Sequence, residues 1–88
     1  MSSSLYIDVR PLSESLNKKF TEVISYPYTE ILKDKEAFYE FCKDAKKIVL
    51  ICRSGRRSDF VKKMLLDYGF EDIVLKTPSE VRKTLNDK

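Results

Sequence analysis

Histidine is absent from this sequence. Its absence removes Cys–His and Ser–His nucleophile pairs, and with them most hydrolases that rely on an imidazole base. Any nucleophile must then be activated by nearby charge and by backbone dipoles. Cysteine occurs only twice, as Cys42 and Cys52. Two thiols in a reducing compartment are a poor disulfide framework, and their spacing is not that of a CxxC redox pair. With no histidine to complete a set of four ligands they do not make a structural zinc site either, so neither metal nor cofactor is expected. No apolar run approaches the ~20 residues that cross a bilayer, and no membrane partner is expected. Met1-Ser2-Ser3-Ser4 lacks the basic start and apolar stretch of a secretory leader, and Ser2 excludes N-myristoylation. The expected compartment is the cytoplasm.

What is present fits one folded domain over residues 1–88. A hydrophobic content of 42% against 35% charged residues is that of a globular chain, too rich in aliphatic and aromatic side chains to stay disordered. Leu5 to Val9 (LYIDV) and Glu22 to Tyr26 (EVISY) read as short strands, each stopped by a proline, with a polar irregular stretch over 12–22 between them. Ile31, Phe38, Phe41 and Cys42 recur near helical spacing between Tyr28 and about Asp44, which predicts a short turn and then a helix. Lys47 to Cys52 (KIVLIC) is the strongest strand, its successive apolar residues matching a parallel strand buried on both faces. A turn over Arg53 to Arg57 precedes a helix from Ser58 to Tyr68, marked by Val61, Met64, Leu65 and Tyr68 and ended by Gly69. Ile73 to Leu75 is a further strand, and Pro78 opens a last helix. Alternating strands and helices predict an α/β fold, a central parallel sheet with helices on both faces.

The chemistry concentrates at one junction. Residues 53–63 (RSGRRSDFVKK) hold five basic groups against one acid, so this window carries +4 while the rest of the chain sums to −1. A charge run is commonly a solvated helix face; this one begins directly after a cysteine at the carboxyl end of the best strand, where α/β sheets bind ligands. Cysteines near arginines and helix N-termini have lowered pKa values and need no base. Taken alone, Cys52 reads as a small buried hydrophobe. The three arginines, the serine, the glycine and the helix start that follow it favour a nucleophile. Cys42, beside Phe41 in a helix with no such loop, reads as structural.

CRSGRRS, Cys52 to Ser58, resembles the active-site loop of single-domain rhodaneses, which typically read Cys-Arg-x-Gly-x-Arg-Ser. Ile7-Asp8-Val9-Arg10 is similar to the family's early Asp-Val-Arg segment, and ISYPYTEI, KKIVLIC and DYGFEDIVLK are similar to its surroundings, over about residues 5–76. The resemblance implies a rhodanese-like domain acting as a sulfurtransferase. Cys52 would be the catalytic nucleophile, with Arg53, Ser54, Gly55, Arg56, Arg57 and Ser58 binding a small anionic sulfur donor. The persulfide sulfur would pass to a thiol or sulfur-carrier acceptor. Gly55 would supply a backbone conformation or a close approach that a Cβ blocks. Asp8 and Arg10 would support the loop, although a turn-capping acid is an equal reading of Asp8. The family's Gly-His-Ile, Gly-Ala and Gly-Gly elements and its later Trp are missing, and Thr77-Pro78-Ser79 stands where the Gly-Gly pair is usual.

Two rivals follow from the same residues. A cysteine phosphatase or arsenate reductase uses Cys-x5-Arg, but here the sixth position is Ser58 and Arg57 falls one early. A non-catalytic rhodanese-like interaction module generally loses the cysteine that this chain keeps. Nucleic-acid binding is not expected, since the basic window has no interleaved aromatics or recognised motif.

Overall fold

The structure, a computed structural model, describes residues 4–53 and 55–86. Four strands, β1 (Ser4–Asp8), β2 (Val23–Ser25), β3 (Lys47–Ile51) and β4 (Ile73–Lys76), form one sheet in the order β2-β1-β3-β4. Every pairing is parallel: Asp8 lies opposite Ser25 on one side and Ile51 on the other, and Ile51 lies opposite Lys76. All four carboxyl ends therefore share one edge.

Strand alternation divides the core in two. Ile7, Val9, Ile48, Leu50, Cys52 and Ile73 pack on one face with Ile31 of α1 (Tyr28–Lys33), Phe38 and Cys42 of α2 (Lys35–Cys42), and Val61, Met64 and Leu65 of α3 (Arg56–Tyr68). Val23, Val49 and Ile51 face the other way, onto Leu16 and Phe20 from the segment after β1 and onto Val81 and Leu85 of α4 (Pro78–Asn86). The α/β expectation holds, with an all-parallel sheet covered on both faces.

Three boundaries differ from the sequence expectation, and each has a local cause. The short turn and helix expected over the stretch before Asp44 are two helices broken at Asp34, which leaves helical geometry at φ −147° and turns its carboxylate to accept the Ala37 N–H at 3.0 Å. Asp favours this cap over a place inside a helix. The polar stretch over 12–22, expected to be irregular, contains two 3-10 turns, Leu12–Glu14 and Leu16–Lys18. The third difference bears on the site: α3 begins at Arg56, two residues before Ser58. Gly55 sits at its N-cap in the left-handed region (φ 81°, ψ −16°), which aims the chain straight into the helix. Tyr68, expected on the buried stripe, is exposed and stacks on Tyr39 at 4.0 Å, while the buried Ser58 extends the stripe at the other end.

Candidate active site

The strand order reverses between β1 and β3: β1 leads to β2 on one side, while β3 and β4 lie on the other. Ligands of open parallel sheets bind at such a point, outside the carboxyl ends. The residues that leave the sheet there are Val9-Arg10 and Cys52. The backbone keeps them in step beyond the strands, the Val9 N–H donating to Ile51 O and the Cys52 N–H to Lys76 O, each at 3.2 Å. A hollow of about 480 Å³ opens above this junction, lined by Arg10, Pro11, Glu14, Cys52, Arg53, Arg56 and Arg57. Cys52 is only 6% exposed, so its thiol belongs to the floor of the hollow rather than to its rim.

On the β3 side, only residues 53–55 separate the cysteine from the helix. The turn expected to run to Arg57 is shorter, and Arg56 and Arg57 are first-turn helical residues. Gly55 accepts at its carbonyl oxygen both the Asp59 N–H (2.8 Å) and the Ser58 hydroxyl (3.2 Å). Ser58 is thereby tied into the helix start, and buried. Gly55, the N-cap of α3, has no side chain to offer as a cap, so the cap position itself places no carboxylate at the positive end of the helix dipole. Of the two roles open for Gly55, the structure selects conformation: a Cβ built there meets nothing within 4 Å, but the positive φ remains. Asp59, the one acid of the basic run, pairs with Lys63 at 3.5 Å on the exposed face. Ser54 lies outside the described residues.

On the β1 side, Asp8 is fully buried and accepts four hydrogen bonds. Three come from Arg10, through its backbone N–H (3.1 Å), Nε (3.0 Å) and Nη2 (2.9 Å), and one from the Leu16 N–H (2.9 Å). The pair thus braces residues 10–16, which line the hollow through Arg10, Pro11 and Glu14. The Arg10 guanidinium is held above its ordinary pKa, chiefly by the bond to Asp8 and against the pull of burial, with smaller attractions to Asp8, Glu14 and Cys52. Arg10 and Cys52 line the same hollow. Cys42 is a contrast: it is fully buried in the apolar core, and desolvation pushes its pKa up to about 12.

The structure brings Arg10, Cys52, Arg53, Arg56 and Arg57 into one cavity and sets Asp8 behind it. Sequence reading did not single out Glu14, which joins the same wall, or Glu80 and Lys76, which with Thr77 line a smaller hollow of about 160 Å³ against Cys52, Gly55 and Ser58. The one available signal was Thr77-x-x-Glu80, a capping box: the Thr77 N–H donates to Glu80 Oε1 (2.9 Å) and the Glu80 N–H to Thr77 Oγ1 (3.2 Å). Among the described residues no group of three or more Cys, Asp or Glu is placed to hold a metal ion, and no helix is long and apolar enough to cross a membrane.

No protein-family model, curated protein sequence or solved structure matches this chain. The functional reading stands on the residues and geometry of this cavity.

Proposed function

We propose that the protein is a sulfurtransferase of the rhodanese type, working through a persulfide on Cys52. The observation that carries the reading is the setting of Cys52: a thiol at the strand-order reversal, in a hollow lined by four arginines and next to a helix start whose N-cap is a glycine. Such a setting favours thiolate over thiol. In the first half-reaction the Cys52 thiolate attacks the outer sulfur of thiosulfate. A sulfur–sulfur bond forms at Cys52, the donor's own sulfur–sulfur bond breaks, and sulfite leaves with the electron pair. Charge is conserved and no proton moves. The product anion, Cys52–S–S⁻, is stabilised by the first-turn amides of α3 and by the guanidinium groups. Arg53, Arg56 and Arg57 are suited to the sulfonate oxygens of the incoming donor and the departing sulfite.

The position of Ser58 supports this choice over phosphoryl chemistry. A phosphatase loop places an arginine fork six residues after the cysteine; here that place holds a buried serine whose hydroxyl is spent on the Gly55 carbonyl. The test is a pair of steady-state assays on the same preparation. Sulfur transfer from thiosulfate to cyanide is expected, with negligible hydrolysis of a small aryl phosphate. Robust phosphate hydrolysis would overturn the reading, and failure of both assays would favour an interaction module.

A further inference from the structure

A second hollow of about 430 Å³ adjoins the first, and the two share Arg10 and Arg53. Its other walls are Thr77, Pro78, Ser79 and Arg82, from the end of β4 and the first turns of α4. Three guanidinium groups and two hydroxyl-bearing residues line it, and no acid among the described residues does. None of the ion pairs found among the described residues uses Arg53 or Arg82. Arg10 is fixed from behind, because Asp8 engages its Nε and Nη2. The volume suits a small molecule rather than a protein segment.

We propose that this second lobe is the acceptor subsite and that it selects a small thiol carrying carboxylates; the proposal rests on the sulfurtransferase reading above. The carboxylates sit on Arg53 and Arg82 while the thiol reaches over Arg10 to Cys52. The acceptor sulfur attacks the outer sulfur of Cys52–S–S⁻, and its proton stays with the new persulfide, R–S–SH. The bond to Cys52 Sγ breaks, and Cys52 leaves as the thiolate that began the cycle. A neutral thiol undergoes the same step without the arginine contacts.

Two measurements separate this lobe from the activity it serves. In the first, succinate, which has no thiol, is titrated into the ¹⁵N-labelled protein at low salt. Amide shifts are expected at Thr77, Ser79 and Arg82 and are lost in Arg82→Glu. Shifts elsewhere, no shifts, or binding of a poly-glutamate peptide in place of succinate would overturn the assignment. In the second, the thiosulfate-loaded protein is offered mercaptosuccinate or 2-mercaptoethanol at equal thiol concentration. Mercaptosuccinate should half-saturate at about tenfold lower concentration, the worth of one charge-assisted hydrogen bond, and Arg82→Glu should erase the difference. Equal use of both thiols by the wild type contradicts the proposal. If the wild type takes no sulfur from thiosulfate the sulfurtransferase reading fails, and the succinate titration still decides whether the lobe binds carboxylates.

Discussion

Asp8 holds Arg10 with both carboxylate oxygens, Oδ1 on Nε at 3.0 Å and Oδ2 on Nη2 at 2.9 Å, and is itself sealed from solvent. Oδ2 also accepts the Leu16 N–H, so one buried carboxylate fixes the end of β1, an arginine of the cavity and the start of a 3-10 turn. Removing one partner of a buried pair leaves the other uncompensated, at a cost of about 3–5 kcal/mol. Asp8→Ala is expected to lose that much in urea unfolding. Replacing both residues by Leu and Met should recover most of it. A loss below about 1 kcal/mol for Asp8→Ala would mean that water reaches the pair.

Gly55 tests the helix start. Since a Cβ there meets nothing, Gly55→Ala carries only the conformational penalty of the left-handed region, about 1–2 kcal/mol. Asn tolerates that region better, so Gly55→Asn should be milder. Urea midpoints of the three proteins order the effect, and sulfur transfer should fall in the same order as the α3 amides shift. A silent Gly55→Ala would show that the helix start does not depend on this backbone geometry.

These two positions also mark how far sequence reading reached. The sheet was legible because Ile48 to Ile51 is a continuous apolar run, and α3 because Val61, Met64 and Leu65 repeat at helical spacing. The first turn of α3 was not, because Arg56 and Arg57 project no apolar side chain and the only cue was a glycine equally at home in a loop. Asp34 was hidden inside an apolar spacing that continues across the break. Cys52 and its arginines were legible as one cluster, and Asp8 and Arg10 were legible as candidates beside it. Glu14 and Arg82 had no signature: an exposed charge that borders a cavity has the same pattern as one that faces water. Only the third dimension sorts them.

The two cysteines should behave oppositely. Burial alone pushes the Cys42 pKa up to about 12, whereas Cys52 has a helix start and arginines to hold its thiolate. Iodoacetamide modification of the native protein, followed across pH and mapped by peptide, should give Cys52 a midpoint below that of a free thiol and leave Cys42 intact into the mildly alkaline range. A Cys52 midpoint near a free thiol's, about 8.5, would contradict the activation proposed here.

Glu80 gives a pH signature on the fold. Its pKa is lowered from the ordinary 4.5, chiefly by the Thr77 backbone hydrogen bond and then by the Thr77 side chain. A depressed carboxylate stabilises the folded state fully above its unfolded value and loses that contribution as pH falls through the folded one. The Tm difference between wild type and Glu80→Gln should therefore be constant above about pH 5 and shrink steadily below the ordinary 4.5. A difference that persists unchanged to acid pH would mean that the capping bonds do not depend on the charge.

The central claim is that Cys52 carries the sulfur, and intact-protein mass spectrometry after thiosulfate treatment reads it directly. The wild type and Cys42→Ser should each gain one sulfur atom, the added mass should map to the peptide containing Cys52, and cyanide should remove it. Cys52→Ser should gain nothing. An adduct on Cys42, or an unmodified wild type at saturating thiosulfate, would contradict the account.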